Sequence, residues 1–159
     1  MKQTTIVFLL KDDQVLLAMK KRGFGAGKWN GVGGKVEPGE TVEQAAIRET
    51  QEEINVTPRN LEKVAHHTFI VPSFADGTII SHVFVVRDWQ GEPTETEEMA
   101  PKWFKISEIP YDQMWDDDKH WLPQVLNGEK LVCNFDFDDN DLMIGKDVKV
   151  VAATHELLA

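Results

Sequence analysis

The sequence predicts an α/β fold in which a mixed β-sheet is flanked by helices. Three observations carry that prediction. Short runs rich in Val, Ile and Leu recur between turn residues, as strands do. Residues 41–54 combine a specific helix start with apolar residues at helical spacing. A second helix fits residues 117–126, so helices interrupt the strands.

The elements follow in order. Residues 4–10 and 14–18 are apolar runs joined by Lys11-Asp12-Asp13, and read as a hairpin. A glycine-dense stretch comes next, with Gly23, Gly25, Gly27, Gly31, Gly33 and Gly34 around Trp29 and four basic residues, Lys20, Lys21, Arg22 and Lys28. Pro38-Gly39 then punctuates the chain. Thr41 and Gln44 match the capping box, in which each side chain satisfies the other's free backbone N–H. Val42, Ala45 and Ala46 fall on one face of the helix that follows. Beyond Pro58, residues 61–71 and 78–86 read as strands, with Ala75-Asp76-Gly77 between them. Residues 102–106, 131–137 and 148–152 are shorter β runs.

The chain has 159 residues, the size of one domain spanning 1–159. A composition that is 42% hydrophobic and 28% charged fills a core and excludes wholesale disorder. The 17 Lys+Arg stand against 27 Asp+Glu, a net charge of −10. That balance argues against a nucleic-acid polymer as partner. It leaves room for an anionic small molecule held through a divalent cation. The one cysteine, Cys133, excludes an intrachain disulfide and a Cys-rich zinc site, and reads as a buried thiol. The apolar run 6–10 is too short for a signal peptide or a membrane span, so a cytoplasmic setting with no membrane partner is expected. A monomer is expected as well.

Glu49, Glu52 and Glu53 stand at i, i+3 and i+4, on one arc of the predicted helix. Like charges at that spacing weaken a helix by a few tenths of a kcal/mol each. They also lie near its C-terminus, where the macrodipole is already negative. A solvated acidic face softened by Arg48 is one explanation. The other is that a hard divalent cation neutralises the trio and is shared with substrate phosphates.

The surroundings favour the cation. Five residues separate Gly34 from Glu40, and seven separate Glu40 from Arg48-Glu49; Glu52-Glu53 and Val56 follow. This pattern resembles the Nudix box. Thr50 stands where that family has an aliphatic residue, and Asn55 where it has glycine. Asn is the next-best residue for a left-handed helix end. The resemblance implies the Nudix fold, a mixed β-sheet sandwiched between helices, and a hydrolase acting on a nucleoside diphosphate linked to another group. It implies Mg²⁺ as cofactor, with Mn²⁺ as the alternative. Glu49, Glu52, Glu53 and the Gly34 carbonyl would bind it. Glu98 would be a further metal ligand from a distant loop. Arg48, with Glu40, would hold the catalytic carboxylates in place, and one of the three glutamates would take a proton from the attacking water.

The likeness extends from residue 5 to residue 137. Met19-Lys20-Lys21-Arg22-Gly23-Phe24-Gly25-Ala26-Gly27-Lys28-Trp29-Asn30-Gly31 is similar to the MutT-like members that remove 8-oxo-dGTP and 2-oxo-dATP from the nucleotide pool. So are Gln90-Gly91, Glu98-Met99, Trp103-Phe104, Ile109-Pro110 and Met114-Trp115. This implies that Asn30, Asp117 and Asp118 read the purine edge. Two adjacent carboxyls in a poorly solvated pocket tend to keep one proton between them, and moving it lets one site read different bases. Trp115 would stack on the base, with Phe24, Phe69, Met99 and Trp121 as apolar walls and Thr5 and Lys20 at the pocket edge. For the aromatics, core packing is the alternative. Asp116 stands where those members have proline, a third acid able to shift the pair's titration or the loop's path. Two alternatives stay open: turnover of another nucleotide, such as a dinucleotide polyphosphate or nucleotide sugar, and a nucleotide-binding module without turnover.

Other signals carry no function. Asp136-Phe137-Asp138-Asp139-Asn140 imitates a calcium loop but lacks its glycine, and reads as a solvated turn. Gly23, Gly25 and Gly27 make no dinucleotide-binding fingerprint, because Lys28 takes the third glycine position. His66, His67, His82, His120 and His155 show no metal-ligand spacing, and residues 138–159 have no assigned role.

Overall fold

The computed structural model describes residues 1–75, 77–152 and 157; Asp76 and His155 lie outside them. In chain order the elements are β1 (Lys2–Lys11), β2 (Gln14–Lys20), β3 (Trp29–Asn30), α1 (Val42–Ile54), β4 (Thr57–Arg59), β5 (Glu62–Ile70) and β6 (Thr78–Val86). Then come β7 (Asp88–Gln90), β8 (Met99–Lys105), α2 (Asp118–Leu126), β9 (Lys130–Phe137) and β10 (Met143–Val151). The main sheet runs β10-β9-β5-β6-β1-β2-β3, and β8 also pairs with β2. It is mixed, as expected: β1–β6 and β5–β9 are parallel, and its other pairs are antiparallel.

Alternation along β1 divides the core into two layers. Val7 and Leu9 pack with Ala46 and Ile54 of α1. Phe8 and Leu10 turn to the opposite face, with Trp121, Leu122 and Val125 of α2. The sheet is therefore sandwiched between the two helices. β2 pairs with β1 only at Leu10 and Lys11. The rest of that edge is taken by the glycine-rich segment: Val7 N–H donates to the Val32 carbonyl (2.6 Å), Thr5 N–H to Gly34 (2.9 Å) and Val36 N–H to Gln3 (2.9 Å). The approach is so close that a Cβ at Gly33 would stand 1.9 Å from the Thr5 carbonyl oxygen.

α1 starts and stops as its sequence dictates. Gln44 N–H donates to Thr41 Oγ1 (3.0 Å), and Thr41 N–H to Gln44 Oε1 (2.9 Å). Asn55 ends the helix in the left-handed region, at φ 61°, and returns its N–H to the Gln51 carbonyl (3.0 Å). Thr50 is fully buried and donates its hydroxyl to the Ala46 carbonyl (2.7 Å), so its departure from an aliphatic residue leaves no polar atom unsatisfied.

Several elements differ from expectation. β8 begins at Met99 and stops at Lys105, because a 3₁₀ turn takes over at Ile106. β10 begins at Met143, since it is an edge strand whose exposed half lacks the apolar run expected of a strand. β3, β4 and β7 were not anticipated; two or three residues carry no readable period. The turn after β9 is the solvated one expected, with Asp138 Oδ1 accepting from the N–H groups of Asn140 and Leu142. The C-terminal stretch has a structural place: β10 extends the sheet, and the buried Lys63 ammonium binds the Leu157 carbonyl and His82 Nδ1.

Thr41→Ala should lower the unfolding free energy by about 1 kcal/mol, the worth of an N-cap. Asn55→Gly should leave it nearly unchanged, whereas Asn55→Val should cost about 1–2 kcal/mol. Urea unfolding midpoints with an unchanged slope are the measure.

Candidate active site

Arg48 organises the acids around α1. Its Nε and Nη2 grip both oxygens of Glu40 (2.6 and 2.9 Å). Nη1 reaches Glu49 Oε1 (2.9 Å) and Glu52 Oε2 (3.2 Å), and Nη2 also donates to the Lys35 carbonyl (3.0 Å). The hydrogen bond from Arg48, with one from Glu37 N–H at 2.9 Å, holds the Glu40 carboxyl down to about 2. One guanidinium thus ties the loop before the helix to the helix itself.

The trio of glutamates is graded in depth. Glu53 is 5% exposed, while the side chains of Glu49 and Glu52 are 14% and 59% exposed. Burial, then the neighbouring Glu49 charge, pushes Glu53 up to about 8. Burial also raises Glu49, against the pull of Arg48. Glu49 nests against Gly34, where a Cβ would stand 2.5 Å from its carboxyl carbon; only glycine leaves that room. The Gly34 carbonyl accepts the Thr5 N–H at 2.9 Å and, at a longer 3.4 Å, the Thr5 hydroxyl, a weak contact that a cation would replace. Glu98 is exposed, 3.8 Å from Arg22, and near enough to Glu53 to raise it further. Thr96 fixes that loop to the end of α1 by donating to the Glu53 carbonyl (2.9 Å).

These residues fit a hard divalent cation. The donors are all oxygens, and two desolvated carboxyls repel one another with an arginine on only one of them. As the side chains stand, no three acids, histidines or cysteines among the described residues are gathered closely enough to hold an ion. Arg48 holds Glu49 and Glu52 as ion-pair partners.

Beside the acids lies a cavity of about 360 Å³. Thr5, Lys20, Phe24, Asn30, Phe69, Met99, Trp115, Asp117 and Asp118 line it, with Gly34 at the side that touches Glu49. Lys2, Lys28 and Lys35 add positive charge to its wall, despite the net −10 of the chain. Phe24, 38% exposed, forms a rim against Phe74 and Trp115 at centroid distances of 5.2 and 5.1 Å. Lys28 Nζ lies 5.2 Å over the Trp115 ring. Asn30 Oδ1 accepts the Gly31 N–H (2.8 Å), which leaves its amide donors for a ligand.

Asp117 and Asp118 are 2% and 3% exposed, at the start of α2. Trp121 Nε1 donates to Asp117 Oδ2 (2.7 Å), whereas Asp118 Oδ2 is buried without a partner. Burial raises both carboxyls, Asp117 to about 6 and Asp118 well above its ordinary value, and Asp117 repels Asp118 further. Asp116 adds to the rise at Asp117 and turns outward, accepting from Met143 N–H (3.2 Å) and pairing with Lys119 (3.3 Å). Trp121 is a correction: fully buried, it does not line the cavity. Its indole packs on Phe8 and His67 and steers Asp117, because i,i+4 spacing on α2 puts donor and acceptor together. His67, also fully buried and held neutral by desolvation, is part of that core. Thr4, Ile79, Ser81 and Phe137 line the cavity and were not anticipated; strand alternation was the available signal.

The NUDIX domain model matches residues 1–125, and the chain belongs to the Nudix family. Nudix hydrolases use divalent metal ions. Two relatives named "Oxidized purine nucleoside triphosphate hydrolase" are similar over most of their length. The one from Danio rerio is 45% identical over 145 residues, covering 90% of this chain and 91% of the relative. The one from Mus musculus is 43% identical over 150 residues, covering 92% and 94%. Among solved structures, the mutator MutT protein of Bacillus halodurans shares the fold, with a TM-score of 0.79, 22% identity and coverage of 94% of this chain and 98% of that one. No helix among the described residues is long and apolar enough to cross a membrane.

The two buried aspartates tie stability to pH. Folding raises both carboxyls above the unfolded value of about 3.9, so the folded state binds more protons from about pH 4 upward. Their contribution to stability therefore falls as pH rises toward the folded values. Asp118→Asn should lose less unfolding free energy than the wild type between about pH 5 and about pH 8, by urea titration at each pH. Equal losses would show that burial does not hold the proton.

Proposed function

We propose that this chain hydrolyses oxidised purine nucleoside triphosphates, 8-oxo-dGTP and 2-oxo-dATP, to the monophosphate and pyrophosphate, with Mg²⁺ as its cation and Mn²⁺ as a substitute. One observation carries the reading. Two adjoining buried carboxyls, Asp117 and Asp118, share a cavity with the glycine against which Glu49 nests. Base recognition and phosphate chemistry are thereby brought side by side. The names of the relatives from Danio rerio and Mus musculus support it.

Glu49, Glu52, Glu53 and the Gly34 carbonyl would hold the cation, with Glu98 as a further ligand from its loop. A divalent ion there would supply charge screening for the phosphates and for in-line attack by water. Arg48 holds Glu49 and Glu52 in place, with Glu40 as its anchor. A glutamate of the trio accepts the water's proton. Lys20 offsets phosphate charge. Trp115 and Phe24 offer π faces to the base, and Phe69 and Met99 exclude water. Asn30 donates to the purine carbonyl. Asp117, steered by Trp121, accepts from ring N–H groups, and Asp118 donates or accepts according to which base is bound.

Release of pyrophosphate from 8-oxo-dGTP should require added Mg²⁺. A Glu52→Gln/Glu53→Gln double variant should lose at least about a hundredfold in kcat. Asp117→Asn and Asp118→Asn should each shift the kcat/KM ratio of 8-oxo-dGTP to 2-oxo-dATP by about tenfold, at an unchanged Mg²⁺ half-saturation. Unaltered selectivity in both would overturn the base-reading assignment.

A further inference from the structure

The cavity contains a hydroxyl pair that the functions above do not use. Thr4 of β1 and Ser81 of β6 are direct partners in the parallel ladder. Both line the cavity, and their hydroxyl oxygens lie 2.7 Å apart. Thr4 Oγ1 also lies 3.1 Å from the Ile80 carbonyl, which only accepts. A hydroxyl has one proton, so Thr4 gives its proton to Ile80 and Ser81 gives its own to Thr4. The chain of donors runs outward into the sheet. Ser81 is left with two lone pairs and no proton for a ligand.

The pair is set apart from the aspartates. Trp121, which steers Asp117, packs on Phe8. Thr4 is on the same face of β1, four residues and about 13 Å along the strand. Thr4, Ser81, Asp117 and Asp118 all line the one cavity, so a purine whose Watson–Crick edge met the aspartates would have its opposite, imidazole edge free to meet the hydroxyl pair.

We propose that Ser81, polarised by Thr4, is the group that detects oxidation at C8, and that 8-oxopurine nucleotides are the preferred class. This rests on the oxidised-purine reading and narrows it. Guanine, adenine and 2-oxoadenine carry a bare lone pair at N7. Oxidation at C8 turns N7 into an N–H donor. Ser81 accepts from that N–H and repels the lone pair of the other bases.

The test is calorimetric binding of 8-oxo-dGMP, dGMP and 2-oxo-dAMP to the full chain. Wild type should bind 8-oxo-dGMP most tightly. Ser81→Ala should weaken 8-oxo-dGMP by about tenfold and leave the other two unchanged or slightly tighter. Thr4→Val should narrow the preference from the opposite side. It frees the Ser81 proton to meet a bare N7, so dGMP binding should improve. A pocket that merely loosened would weaken all three ligands. If the wild type prefers 8-oxo-dGMP and Ser81→Ala keeps that preference, the Ser81 assignment is overturned and the oxidised-purine reading stands. If the wild type does not distinguish 8-oxo-dGMP from dGMP, both are overturned.

Discussion

The structure turns on one guanidinium. Arg48 binds both oxygens of Glu40, reaches Glu49 and Glu52, and takes the Lys35 carbonyl. Without it, three carboxyls on one helical arc would repel one another with nothing to fix their orientation. With it, the loop between β3 and α1 is fastened to the helix, and Gly34 is brought against Glu49. The bidentate grip on Glu40 matters as much as the charge, because a planar fork sets direction and a lysine would not.

β1 supplies the frame for that arrangement. Its two faces belong to different cores, and its edge is shared between β2 and the glycine-rich segment. The same strand therefore places Gly34 beside the acids and Thr4 in the cavity floor. The acids and the cavity are thus framed by neighbouring residues of one strand, Thr5 and Thr4. A shift of a single residue in its register would exchange the two faces.

The sequence made local features legible. The capping box at Thr41 and Gln44, the Asn55 stop and the spacing of the acids all depend on neighbours within a few residues. The cavity was legible only through family resemblance, because its walls come from strands far apart in the chain. Trp121 shows the difference. An aromatic in a helix reads equally as wall or core until its partner is known, and here the partner is Asp117, one turn away. Thr4 and Ser81 carried no signal beyond strand alternation, since small hydroxyl residues are ordinary in strands. Only their pairing across β1 and β6 gives them meaning.

The sole cysteine acquires significance from its place. Cys133 is fully buried in β9, and desolvation, with the nearby Asp117 and Asp147 charges, pushes its thiol up to about 12. Peroxide attacks the thiolate, and almost none forms at neutral pH. With its one thiol sealed away, this chain presents no exposed sulfhydryl for sulfenic acid formation or glutathione capture.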